Sequence, residues 1–171
     1  MLIREYPTTD AAEIRRDAAN CDAGAELFLR DDGKGSVVVC RSDSAGAAGT
    51  SLEKRVQMLF TGGRYGSEGG DWLFYVGLWT PEDFRGEFLA WYEWEHLPIL
   101  LECPLWDGCR FVEQKVDRGC QFHALHQLSD KTALESAERQ RSRSTPWFRR
   151  LSVNGWFDGA FMRTLCRRVT A

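Results

Sequence analysis

The chain has 171 residues, 43% apolar and 27% charged, with a formal charge of −3. That balance excludes whole-chain disorder and gives no reason to expect nucleic acid or an anionic membrane as a partner. The opening Met1-Leu2-Ile3-Arg4-Glu5-Tyr6-Pro7 is too polar for an export signal, and no later stretch approaches the ~20 apolar residues of a membrane span. Six cysteines, at 21, 40, 103, 109, 120 and 166, contain no Cys-x-x-Cys pair, so a cytoplasmic protein with reduced thiols is expected.

Residues 2–6 read as a strand and residues 9–21 as a short helix with Asp10 near its cap. Residues 25–30 and 36–41 form a hairpin around Asp31-Asp32-Gly33-Lys34-Gly35, where glycines supply the turn. A Ser/Ala/Gly-rich stretch at 42–50 is followed by residues 52–59, of mixed helix and strand character. This first part (1–61) is either a shortened βαββαβ repeat or a hairpin extension covering a sheet edge. The run of glycines at 62–71 reads as a linker, because glycine at that density disfavours regular elements.

The second part (72–171) is plainer. Residues 72–79 (WLFYVGLW) make an aromatic-rich strand. Thr80-Pro81-Glu82-Asp83 offers a hydroxyl cap, a proline at the first position and two acids in the first turn, all helix-start signals. That helix is expected to reach about Leu97, where Pro98 breaks or kinks it, with a short turn after it. Residues 108–116 and 120–128 form a second hairpin, 129–143 one polar helix opened by Thr132-x-x-Glu135, and 156–169 contain the last strand, with Thr145-Pro146-Trp147-Phe148 read as the helix end. The order is βαββαβ, an α+β ferredoxin-like unit.

The segment Trp91-Tyr92-Glu93-Trp94-Glu95-His96-Leu97-Pro98 resembles the EthD-like branch of the dimeric α+β-barrel superfamily, as do Cys103-Pro104-Leu105-Trp106, Ala124-Leu125-His126-Gln127-Leu128 and Thr145-Pro146-Trp147. The resemblance covers residues 72–171. It implies two ferredoxin-like units pairing into a barrel, from a homodimer or within one chain as a pseudo-dimer, with a small-molecule cavity between sheet and helices. Relatives include cofactor-free monooxygenases and isomerases, so no cofactor is expected. The function implied is binding, and conversion, of a small organic compound by proton-transfer, isomerase/lyase or monooxygenase chemistry. A non-catalytic binding or accessory protein is the alternative.

Counting ~100° per residue from Phe84, the positions Phe88, Trp91, Tyr92, Glu95 and Ile99 fall within ~80° of it, and His96 lies at ~120°. Glu95 is therefore expected in the apolar stripe, where burial would raise its pKa and suit it to acid–base work. Pairing with Arg110, Arg149 or Arg150, or capping at the Pro98 break, is the structural alternative. His96 is the second catalytic candidate, as a proton shuttle. His123 and His126 point to opposite faces of their strand, and His126 is expected to be the one packed or lining the pocket. With Trp72, Phe74, Val76 and Leu78 placed under the helices, Tyr75 and Trp79 would face the barrel as substrate-binding groups, together with Tyr92 and His126. No metal is expected, since no Cys or His pair has ligand spacing. The basic residues of the C-terminal third, Arg139, Arg141, Arg143, Arg149, Arg150, Arg163, Arg167 and Arg168, read as solvated or paired with acids of the first half.

Overall fold

A computed structural model describes residues 1–19, 24–41, 52–66, 69–157 and 161–169. Cys21, the stretch 42–50, and Ser67 and Glu68 of the glycine run lie outside the described residues. The first half contributes β1 (Leu2–Tyr6), α1 (Ala11–Ala19), β2 (Glu26–Arg30), β3 (Ser36–Cys40) and β4 (Leu52–Gly63). The second contributes β5 (Trp72–Thr80), α2 (Arg85–Trp91), α3 (Leu97–Leu101), β6 (Trp106–Gln114), β7 (Cys120–Leu128), α4 (Ala137–Ser142), α5 (Pro146–Ser152) and β8 (Met162–Arg168).

All eight strands close into one barrel in the order β1-β3-β2-β8-β5-β7-β6-β4. Each half keeps the fourth-first-third-second strand order of a ferredoxin-like sheet, and the halves join antiparallel through β2 with β8 and β4 with β6. The barrel is thus closed by a single chain. An eight-stranded barrel has an interior just wide enough to be filled by side chains, and Ile3, Phe28, Val37, Val39, Leu73, Tyr75, Val112, Leu125 and Cys166 fill this one.

Two polar clusters share the interior. Glu26 accepts from Arg110 Nη1 at 2.8 Å and Arg168 Nη2 at 3.1 Å, with the Arg110 guanidinium over the Tyr65 ring. Lys54 bonds Glu5 and donates to Tyr75 Oη, and Tyr75 Oη lies 3.1 Å from His123 Nδ1. Nε2 of His123 lies 3.1 Å from Gln114 Oε1. The amide oxygen only accepts, so His123 carries its proton on Nε2 and Nδ1 receives the Tyr75 hydroxyl proton. The bonds then run one way, from Lys54 to Gln114, and tie β4 of the first half to β5, β7 and β6 of the second.

Several elements differ from expectation. β4 runs two residues into the glycine run, because Gly62 and Gly63 pair with Cys109 and Gly108. At Gly63, with φ +69°, a Cβ would strike Asp107 O. Thr80 ends β5 and its buried hydroxyl has no partner among the described residues. It is not a helix cap. Pro98 does not break the helix, since a π-helical turn at Tyr92–His96 precedes it and carries the chain into α3. A widened turn accommodates the missing N–H and the clash that proline brings to the carbonyl four residues back.

The polar helix at 129–143 is two pieces. A 3₁₀ turn, Lys131–Glu135, is capped by Asp130, and α4 is capped by Ser136, whose Oγ accepts Arg139 N–H. Thr145-Pro146 starts a helix instead of ending one: Thr145 Oγ1 accepts Phe148 N–H at 3.0 Å and Pro146 stands at the first position of α5. A hydroxyl followed by proline is the N-terminal signature, so that signal is present in the sequence.

Candidate functional site

A cavity of about 260 Å3 lies between the outer face of β5–β7 and the helices above it, a little below the ~300–1,000 Å3 of small-ligand sites. Phe74, Val76 and Leu78 form its floor, Phe88, Trp91, Tyr92 and His96 descend from the helical segment, and Phe148 and Phe157 close one wall. The strand alternation places these floor residues under the helices as the sequence implied. The cavity side of β5 is this face, and Tyr75, expected as a substrate-binding group, is fully buried in the packed barrel and does not touch the cavity. Trp79 does not face the barrel interior as expected: it stands at the cavity edge, 41% exposed, with its indole N–H donating to Arg118 O at 3.4 Å.

The π-helical turn decides which of Glu95 and His96 enters the site. Leu97 N–H bonds Tyr92 O, five residues back. One extra residue in the turn sets everything after it back by about one position on the wheel. His96 therefore takes the angle assigned to Glu95 by a regular ~100° step. His96 lines the cavity, while Glu95 is half-buried outside it and accepts from Thr145 Oγ1 at 2.5 Å. None of the arginines weighed as its partner is used: Arg110 serves Glu26 and Arg150 serves Glu87.

His126, on the floor, is fixed from both sides. Trp106 Nε1–H donates to Nδ1 at 3.1 Å, and Nε2 lies 2.8 Å from Tyr92 Oη. Burial, then the nearby His96 and Arg139, lower the His126 pKa to about 3. The ring is neutral at pH 7, an indole N–H only donates, and so the single ring proton sits on Nε2 and is given to Tyr92 Oη. Tyr92 is left with its own proton to donate. Burial holds its pKa well above the ordinary phenol value, so it acts as a neutral donor and not as a phenolate.

His96 packs against Trp91 and Tyr92 with tilted ring planes, the centroids 4.6 and 4.9 Å away. Its Nδ1 approaches Ser142 O at 3.4 Å, which assigns the ring proton to Nδ1 and leaves a lone pair on Nε2. Burial, against the pull of that carbonyl, lowers its pKa to about 4, so the lone pair is free at pH 7. The pair of rings with Tyr92 between them can hold a ligand oxygen by one hydrogen bond and accept a proton beside it.

Residue-type reasoning missed Trp106, which fixes the His126 tautomer, although the Cys-Pro-Leu-Trp turn that carries it is visible in the sequence. It also missed that Arg139, Arg143 and Arg163 line the cavity; their charge is visible, their convergence is not. Among the described residues no three His, Cys, Asp or Glu side chains gather as a metal site would gather them. Cys103, Cys109, Cys120 and Cys166 are buried free thiols. No helix of the described chain is long and apolar enough to cross a membrane.

No protein-family model matches the sequence, and no curated protein matches it. Solved structures do. An uncharacterised ferredoxin-fold protein related to antibiotic biosynthesis monooxygenases, from Listeria monocytogenes, is similar at 13% identity, with TM-score 0.65 over 99% of this chain and 96% of that one. A heme-degrading enzyme of Listeria monocytogenes gives 14% identity and TM-score 0.64 over 98% and 99%. An anthrone oxidase-like protein gives 11% and 0.66 over 99% and 90%. At such identities the likeness shows the fold alone: this chain has a ferredoxin-like α+β barrel.

Proposed function

We propose that the chain is an EthD-like member of the dimeric α+β-barrel superfamily whose first sixty residues, a shortened repeat, stand in for a second subunit, and whose second unit converts a small organic compound in the sheet–helix cavity. The observation that carries this reading is the directed chain from Trp106 through His126 to Tyr92, which leaves the Tyr92 proton for a ligand. The reaction it suits is proton abstraction next to a carbonyl or from a phenol. His96 Nε2 takes the proton, and Tyr92 O–H bonds the oxygen on which charge accumulates; return of the proton at another atom gives isomerisation. The apolar floor excludes water and orients a ring. The volume suits one or two rings, whereas a tetrapyrrole such as the substrate of the Listeria heme-degrading enzyme is too large for it. Aromatic stacking and a donor on a neutral oxygen are the binding terms this requires.

Hydrogen–deuterium exchange tests the reading even with the substrate unidentified. One- and two-ring ketones and phenols are incubated in D2O and read by mass spectrometry. Wild-type protein is expected to label a subset at carbon, with His96→Gln slowing the exchange ~100-fold or more and Tyr92→Phe less severely. Ligand-dependent thermal stabilisation without labelling overturns the catalytic role and leaves the non-catalytic binding protein.

A further inference from the structure

Three arginines converge on the cavity from two elements: Arg139 from α4 and Arg143 just after it, and Arg163 from β8. Among the described residues no carboxylate lines the cavity with them and none forms an ion pair with any of the three. Other C-terminal arginines are neutralised, Arg141 by Glu102, Arg150 by Glu87 and Arg168 by Glu26. Arg139 is half-buried, its Nη1 donates to Leu134 O at 2.5 Å, and its guanidinium stands 5.8 Å from the Phe74 ring centre on the floor. Burial, together with Arg143 and Arg163, lowers its affinity for its own proton, the mark of positive charge gathered without a counter-ion. Trp91, which lines the same cavity, has a buried indole N–H with no acceptor among the described residues, and a buried donor left unpaired costs ~1–3 kcal/mol.

An aromatic slot with an unneutralised cationic rim is half of a recognition pair. The missing half is a flat apolar body with an anionic oxygen group at one end. Guanidinium groups present parallel N–H donors that match the two oxygens of a carboxylate, in a partly dry setting where such bonds are strongest. We infer that the ligand of this cavity is a one- or two-ring aromatic carboxylate, its ring on Phe74 and Phe88 and its carboxylate at Arg139, Arg143 and Arg163. This rests on the cavity being the ligand site, and adds the charge of the compound that enters it.

The test compares 2-naphthoate with its neutral counterpart 2-naphthamide at pH 7, followed by quenching of tryptophan fluorescence and by calorimetry. The acid is expected to bind at least fivefold more tightly, with an affinity that falls as salt is raised. Arg139→Met, which keeps the alkyl stem over Phe74, is expected to remove most of that preference. The exposed pair Arg143→Gln and Arg163→Gln tests the same point if Arg139→Met fails to fold. Loss of the acid's advantage in these variants, with the amide unchanged, supports the inference. An acid-to-amide ratio below fivefold in wild type, or one that survives both sets of variants, overturns it while leaving the cavity as a ligand site. Binding of neither compound overturns the cavity reading itself.

Discussion

Glu95 Oε1 accepts a hydrogen bond from Thr145 Oγ1 at 2.5 Å, and the same Thr145 oxygen accepts Phe148 N–H at the start of α5. The acid therefore ties the π-helical turn to the first turn of a distant helix. Glu95→Gln keeps an acceptor oxygen and is expected to cost less than ~0.5 kcal/mol, as substitutions away from buried charge usually do. Thr145→Val removes both the clasp and the cap, with an expected loss of ~1–2 kcal/mol. Urea unfolding measures both, and a larger loss for Glu95→Gln than for Thr145→Val contradicts the assignment.

Acid should destabilise the fold through its histidines. His123 and His126 are buried and their pKa values are lowered to about 3, chiefly by burial, against an unfolded value of ~6.5. Below that unfolded value the unfolded chain takes protons that the folded chain refuses. Stability is complete above it and falls as pH drops toward the folded values. Groups facing His123 are Tyr75, Gln114 and the Lys54 ammonium, and those facing His126 are Tyr92, Trp106, His96 and Arg139; the cations act in the same direction as burial. His96, its pKa lowered to about 4 by burial, acts in the same direction, so between about pH 7.5 and about pH 5 the three histidines together should remove ~6 kcal/mol, which denaturant titrations at fixed pH would measure. A flat profile over that range would mean that the rings are charged inside the protein.

Tyr92 and His126 should be coupled. Tyr92→Phe leaves His126 Nε2–H buried without an acceptor, an expected loss of ~1–3 kcal/mol. His126→Phe leaves Trp106 Nε1–H without its acceptor and removes the donor to Tyr92. Once one partner is gone, removing the other should cost less, so the cycle closes with a coupling of ~0.5–3 kcal/mol. Additive losses would show that the directed bond is not formed in solution.

The barrel halves should be coupled through Lys54 and Tyr75, which lie 3.2 Å apart between β4 and β5. Tyr75→Phe withdraws the hydroxyl that links Lys54 to His123. The expected cost is ~1–3 kcal/mol, with unfolding remaining a single transition because the same barrel holds both halves. Separate unfolding of the two halves in this variant, followed by fluorescence and circular dichroism together, would mean that the barrel seam alone does not join them.

What is legible in the sequence is whatever depends on local pattern. The hairpin glycines follow from turn geometry, and the alternation along residues 72–78 and the opposite faces of His123 and His126 from period-two geometry; the structure has the same arrangement, with Trp79 at the strand end turned to the cavity instead. Two things are not legible. A regular 3.6-residue wheel places Glu95 inward because nothing in Tyr92-Glu93-Trp94-Glu95-His96 announces a π-helical turn except Pro98 downstream, which by itself reads as a break. The convergence of Arg139, Arg143 and Arg163 joins elements up to twenty-four residues apart in sequence, and only tertiary packing brings them together. Thr145-Pro146 is different: its helix-start chemistry is readable, and it belongs to the beginning of α5 instead of the end of the helix before it.

The most direct check is a crystal structure of the protein with 2-naphthol, a neutral two-ring phenol that needs no arginine. The ring should lie between Phe74 and Phe88, with the phenol oxygen within hydrogen-bonding distance, ~3 Å, of Tyr92 Oη, and His96 should face it while Glu95 stays on Thr145. Naphthol bound elsewhere on the molecule, or a cavity closed by its own aromatic side chains with Glu95 turned inward, would contradict the account.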